Sequence, residues 1–146
     1  MTTIAIGSDH AGFELKSALK VWLSQNGYQV DDVGTFSDER ADYPKFGSAV
    51  GQAVASGSAA FGVVVCGSGQ GICMAANKVP GARAGVIRTV NDAEMTRRHN
   101  DANVACFGQN VTSSDDAIAA LDVFLHTDFE GGRHAPRVDQ LDALIP

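Results

Sequence analysis

Hydrophobic and polar positions change period along the chain, and each change marks an element. Residues 61–66 form one continuous apolar run, Phe61-Gly-Val-Val-Val-Cys66, which suits a strand buried on both faces of a parallel sheet. Three alternating glycines follow, Gly67, Gly69 and Gly71, and helix-forming residues then continue until Pro80-Gly81 stops them. The chain begins in the same order: residues 3–7 are apolar, Ser8-Asp9-His10-Ala-Gly12 is a polar loop, and Phe13, Leu15, Ala18, Leu19, Trp22 and Leu23 recur at helical spacing. Gly27 is a natural end for that helix, and residues 28–34 alternate, predicting a second strand with one more solvated face. After a polar loop, Pro44 suits a first helical turn with Asp42 as candidate cap, and the Ala/Val-rich stretch to Ala55 predicts a helix closed by Ser56-Gly57.

Residues 82–87 predict a fourth strand, and Asn91 and Glu94 have the spacing of a capping box that opens a helix through Arg97, Arg98 and His99. Residues 104–108 predict a fifth strand. Ser113, Ser114, Asp115 and Asp116 open a helix running to about Leu125, and a Gly131-Gly132 hinge precedes a last amphipathic segment over residues 136–144. Strands that alternate with helices imply an α/β fold, a Rossmann-like three-layer sandwich with a five-stranded parallel sheet, in a single domain spanning residues 1–146. Ligands of such sheets bind at the strand carboxyl ends, where strand order reverses. The loops there carry Asp9, His10, Cys66 and Ser68, with Tyr43 nearby.

Composition narrows the function. With 146 residues, 45% hydrophobic and 19% charged, the chain can bury a core. A net charge of −6 opposes binding to a nucleic-acid backbone. No apolar run is long enough to span a membrane and no secretory signal opens the chain, so a cytoplasmic protein is expected. Cys66, Cys73 and Cys106 form neither an even set nor a C-x-x-C pair, which fits unpaired thiols; no two Cys or His have zinc-ligand spacing, so no metal is expected.

The glycine loop lacks the last spacing of a dinucleotide fingerprint and no G-K-[ST] follows it, which disfavours NAD and nucleoside triphosphates. A phosphocysteine mechanism would need an arginine where Ile72 stands. What remains is a thiol beside an anion cradle at a helix N-terminus. A free thiol of pKa about 8.5 is only a few per cent thiolate near neutral pH, and half-ionisation requires roughly 2 kcal/mol, which a helix N-terminus can supply. The same amides would stabilise an enolate oxygen, so proton abstraction beside a carbonyl suits the loop. An inert buried cysteine is the plainer alternative. Ser68 reads as a hydroxyl donor or as a helix cap, and Asp9 as an orienting carboxylate, a ligand for a sugar hydroxyl or a turn former. His10 and His99 read as site residues or as surface and capping groups. Arg133 and Arg137, four apart, read as a bidentate phosphate grip or as a solvated face. Arg97 and Arg98 are read as solvated, and His126 and His134 as uninformative.

Several of these stretches together resemble ribose-5-phosphate isomerase type B, of the group that includes galactose-6-phosphate isomerase. The likeness lies in residues 4–13, in Asp42-Tyr43-Pro44, in Cys66-Gly-Ser-Gly-Gln-Gly-Ile72, in residues 75–78 and 97–104, and in residues 130–138. The resemblance implies an aldose–ketose isomerase without metal or organic cofactor, acting through an enediolate. It implies Cys66 as the proton shuttle, His99 as the acid of ring opening and Asp9 on the sugar ring. Asn100 and the amides of Gly67, Ser68, Gly69, Gln70 and Gly71 would meet sugar oxygens, and His10, Arg133 and Arg137 the phosphate. Tyr43 and Asn110 complete the expected substrate contacts.

The resemblance further implies a site built between two subunits of a homodimer or homotetramer, with the segment from about residue 128 to 146 reaching across. Ser68 stands where many members have Thr, and Asn110 where many have Arg. A second subgroup places a Glu base where this chain has Ile72, which supports Cys66. Ribose 5-phosphate is the leading substrate, with a hexose 6-phosphate of the allose or galactose type, or a non-catalytic sugar-phosphate-binding protein, as the alternatives. A thiol-redox role is disfavoured because Cys73 lies about two helical turns from Cys66.

Overall fold

The structure, a computed structural model, describes residues 1–145. Five parallel strands form one sheet: β1 (Thr3–Ser8), β2 (Gln29–Asp32), β3 (Phe61–Cys66), β4 (Ala84–Val86) and β5 (Val104–Gly108), in the order β2-β1-β3-β5-β4. Six α-helices alternate with them: α1 (Phe13–Gln25), α2 (Pro44–Ala55), α3 (Gln70–Asn77), α4 (Val90–Asn100), α5 (Ser114–His126) and α6 (Ala135–Ala143). Short 3-10 turns, His10–Gly12 and Gly132–His134, precede α1 and α6. The expected α/β sandwich is therefore present.

Alternation along the central strands separates two cores. Val63 and Val65, with Ile4, Ile6 and Phe107, face Leu15, Leu19 and Leu23 of α1 and Leu121 and Phe124 of α5. Val64 and Cys66, with Ala5, Val104 and Cys106, face Val50 of α2 and Ile72 and Cys73 of α3. Val63, Val64 and Val65 are each fully buried, which explains the unbroken apolar run of β3; each side chain contributes about 1.5–3 kcal/mol on burial. The β2 edge strand alternates between exposed and half-buried positions, as its sequence predicts.

Several local expectations change. Helix α4 starts earlier than the Asn91–Glu94 pattern suggests: Thr89 is its cap, accepting from the Asp92 N–H at 3.1 Å, while the Asp92 carboxylate accepts from the Arg88 N–H at 3.0 Å. The pair is a variant of a capping box two residues upstream, with the Asp92 carboxylate reaching the amide before the cap residue. Asp42 does not cap α2, which begins from Tyr43 with Pro44 in its first turn and no side-chain cap. Arg97 is buried rather than solvated. It donates to the carbonyls of Thr127 and Ala102 at 3.0 and 2.7 Å, pairs with Asp101 at 2.9 Å, and lies over the Phe61 and Phe124 rings. This side chain ties the end of α4 to the segment after α5.

Candidate active site

From β1 the chain steps outward to β2 and then crosses back to β3, so strand order reverses between β1 and β3. The carboxyl ends of these two strands diverge into a crevice at that point. Cys66 ends β3 there, almost fully buried, and its Sγ accepts from the Gly69 N–H at 3.2 Å. The turn that brings this amide back requires Gly69 at φ +80°, in the left-handed region, where an added β-carbon would also come within 3.0 Å of the Phe107–Gly108 backbone. The loop after β5 fastens to it, Gln109 N–H donating to the Cys66 carbonyl at 2.9 Å and Asn110 N–H to the Gly67 carbonyl at 3.0 Å. The Ser68 hydroxyl oxygen accepts from the Gln70 N–H at 3.2 Å, one residue ahead of Gly69, which starts α3 without a side-chain cap, and leaves its own proton to donate.

The first loop meets this cradle from β1. Asp9 accepts from the Gly12 N–H at 3.0 Å, as a turn former does, with its second carboxylate oxygen left over. The His10 ring is held through Nδ1 by the backbone of Ala41, 3.1 Å from its carbonyl oxygen and 3.2 Å from its nitrogen. Tyr43 lies over Gly71 so closely that a β-carbon there would come within 2.7 Å of the tyrosine ring. The long loop after β2 thus delivers both the His10 anchor and Tyr43. At its root, Lys16 is fully buried, pairs with Asp32 at 2.7 Å and donates to the Thr35 carbonyl. Burial pushes the Asp32 carboxyl up, but Lys16, the Gly34 amide and Lys20 outweigh it and hold the group below its ordinary value.

The remaining expected residues collect elsewhere. Helix α4 leaves the carboxyl end of β4 and returns to the amino end of β5, so His99 and Asn100 lie at the opposite edge of the sheet from Cys66. The five residues of β5 between the two edges span roughly 17 Å. There the His99 ring stacks on His134, with centroids 4.4 Å apart and planes at 16°. Glu130 sits among them, 3.9 Å from His99 Nε2, 4.0 Å from His134 Nε2, 3.2 Å from Arg98 and 3.6 Å from Arg133. Arg133 belongs to the 3-10 turn and Arg137 to α6, so the pair straddles a junction instead of one regular helix, and both are exposed. A cavity of about 410 Å³ beside this edge is lined by Asn77, Arg83, Thr96, Asn100, Asp142 and Leu144, and no cradle residue enters it.

The structure thus groups Gly67, Ser68, Gly69, Gln70, Gly71, Tyr43 and Asn110 around the Cys66 loop, with Asp9 and His10 on the loop after the neighbouring strand β1, while His99, Asn100, Arg133 and Arg137 form a second group at the opposite edge. His134 and Glu130 were not legible as functional. His134 is buried, and burial, then the Arg133 guanidinium and the His99 ring, hold its imidazole below the ordinary pKa. The signal lay in the count of four histidines, two of which fall within the resemblance stretches flanking this edge. All three cysteines are free and buried. Cys106, at the middle of β5, is pushed well up by burial and by the neighbouring thiols, whereas Cys73 is drawn down by its hydrogen bond with Cys106; Cys66 is the sulfur that stands at a strand end, on the Gly69 amide.

Comparison with known proteins fits this geometry. The Ribose/Galactose Isomerase family model matches residues 4–141. Ribose-5-phosphate isomerase B of Escherichia coli is 44% identical over 144 residues, covering 99% of this chain and 97% of its own. The solved ribose-5-phosphate isomerase B of Clostridium thermocellum superposes with a TM-score of 0.97 at 46% identity, covering 98% of this chain and 97% of that one. The Mycoplasma genitalium enzyme with bound ribulose-5-phosphate superposes with a TM-score of 0.93 at 36% identity, over 98% of this chain and 95% of that one. With its thiol cradle at the β1/β3 switch point and these relatives over nearly its whole length, the chain belongs to the ribose/galactose isomerase family.

Proposed function

We propose that this chain interconverts ribose 5-phosphate and ribulose 5-phosphate, with Cys66 as the base that moves a proton between C2 and C1. The observation that carries this reading is the Cys66 thiol, buried where β1 and β3 part and held by the Gly69 amide. That amide favours negative charge on sulfur, so the thiolate can take the C2 proton, becoming a thiol that exchanges with water, and then deliver a proton to C1 of the enediolate. Charge meanwhile develops on the sugar oxygens. The backbone N–H groups at the head of α3 and the Ser68 hydroxyl are the donors available for it. The ribulose-5-phosphate held by the Mycoplasma genitalium relative supports a pentose phosphate as the sugar.

Ring opening needs an acid, and the phosphate needs cations. In this reading His99 supplies the first and His10, Arg133 and Arg137 the second, with Asp9 and Asn100 on the sugar hydroxyls. His99 and the arginine pair lie a strand length from Cys66, so a second copy of the chain must bring them to the cradle. The working unit is then a homodimer at least. The segment from about residue 128, which carries Glu130, Arg133 and Arg137, lies at its interface. The test is a ribose 5-phosphate assay on wild type and Cys66→Ala in deuterated water. Ketose formation with deuterium entering at C1 by the wild type alone is the expected result; full turnover by Cys66→Ala would refute the assignment.

A further inference from the structure

The cluster at the amino edge has one feature that isomerisation does not use. His134 is 6% exposed, and its Nε2 has no hydrogen-bond partner among the described residues. A buried nitrogen left so costs about 1–3 kcal/mol, and in native proteins such an atom commonly meets a water or an ion. His134 Nε2 faces the Glu130 carboxylate at 4.0 Å, too far for a hydrogen bond, and Glu130 lies 3.9 Å from His99 Nε2. One ligand atom from each of the three residues lies within 4.8 Å of the others.

We propose that His99, Glu130 and His134 form a binding site for a divalent transition-metal ion of the zinc class, and that the bound ion withdraws His99 from turnover. Two imidazoles and a carboxylate are a ligand set that zinc accepts with its fourth position open. Around a tetrahedral ion with bonds near 2.1 Å, ligand atoms sit roughly 3.4 Å apart, so the cluster must contract by about half an ångström or more, and the His99 ring must turn out of its stack on His134 to aim Nε2 at the ion. His99 and Glu130 can make that movement, being 37% and 32% exposed, while buried His134 gives the fixed point. The competitors are Arg98 and Arg133, which also pair with Glu130. Both are well exposed, at 43% and 66%, and exposed pairs of this kind hold weakly enough for an ion to displace them. A water could satisfy His134 alone, but it does not call for a second imidazole and a carboxylate around the same point.

The inhibitory half of this inference rests on the proposed role of His99; the binding half does not. Equilibrium dialysis of chelator-stripped protein against Zn²⁺ should find one ion per chain that Cys66→Ala retains. His134→Ala and Glu130→Gln should each weaken it by more than the roughly 10–100-fold that an outer-shell partner is worth. Cobalt substituted in the wild type should give ligand-field bands without a thiolate charge-transfer band, a readout that needs no variant to fold. Zinc affinity unchanged in both variants, or a cobalt spectrum dominated by thiolate and lost in Cys66→Ala, overturns the site. Zinc held at the cluster with isomerisation unaffected overturns the inhibition. Wild-type turnover by His99→Ala would instead overturn the ring-opening role, leaving the dialysis result standing.

Discussion

The two edges of the sheet hold their reactive groups by different means. At the carboxyl edge the backbone does the holding: the Gly69 amide on Cys66, the Gln70 amide on Ser68, the Gly12 amide on Asp9 and Ala41 on His10. At the amino edge side chains hold one another, with Glu130 shared among Arg98, His99, Arg133 and His134. A backbone cradle is fixed when the chain folds and gives preorganised donors. A cluster of long, partly exposed side chains can rearrange when a second subunit, a phosphate or a cation arrives. In the proposed reaction, the chemistry that tolerates no misplacement falls on the first edge, and the adjustable recognition on the second.

The largest break in this comparison comes from removing the proposed base. Cys66→Ala should lower kcat by about a thousandfold with KM little changed, since the cradle amides remain. A stopped assay for ketose, run beside deuterium wash-in, checks it. Next in size is the test of whether the edges of two copies meet. Cys66→Ala and His99→Ala are each expected to be nearly inactive, but after mixing and subunit exchange half of the dimers are hybrids with one intact site. About a quarter of wild-type activity should return. No recovery after verified exchange would place both residues in a site within one chain and contradict the topology.

The buried ion pair beside the cradle gives the third effect. Lys16→Met leaves Asp32 buried with only the exposed Lys20, 3.1 Å away, and should cost about 3 kcal/mol of stability. Because Asp32 titrates below its ordinary value of 3.8, its contribution is present above that pH and lost as the pH falls through the folded-state value. Denaturant titrations across the acid range should show a flatter stability curve for Lys16→Met. An unchanged acid slope would mean that Asp32 is not the group responsible. Smaller again is Gly71→Ala, whose new methyl group meets the Tyr43 ring. It should favour helix α3 yet cut kcat/KM by roughly 10–100-fold. On a Tyr43→Ala background the same change should cost much less, a coupling that a double-mutant cycle measures.

The carboxyl edge was readable from sequence because its devices are local. A glycine pattern after an apolar run specifies a turn within a few residues, and Cys66, Ser68 and Gly69 interact within that span. The amino edge was opaque for the opposite reason. Arg97 looks like a solvated helix residue until Thr127, thirty positions on, offers its carbonyl, and Glu130 and His134 acquire partners only once α4 and α5 pack side by side. The α4 cap was missed on a smaller scale, since Asn91-x-x-Glu94 and Thr89-x-x-Asp92 are both plausible and only the strand end at Val86 decides between them. The separation of the two edges was legible in principle, because a helix that follows a parallel strand must end at the opposite edge.

The least perturbing change is the sharpest measure of the contrast. Glu130→Gln removes the charge shared by Arg98, Arg133 and the two histidines, yet every one of those pairs is partly exposed except that to His134. Its effect on stability should stay below about 1 kcal/mol, well short of Lys16→Met, although it touches more partners. Gln keeps the size and a hydrogen-bonding oxygen, so the stack of His99 on His134 is preserved and only the field on the two rings changes. Without the carboxylate His134 loses the neighbour that favours its protonated form, so its imidazole should titrate at still lower pH, a shift that NMR of the ring protons measures. A stability loss as large as that of Lys16→Met would show that the amino edge is as rigidly built as the cradle, and the distinction between a fixed edge and an adjustable one would fall.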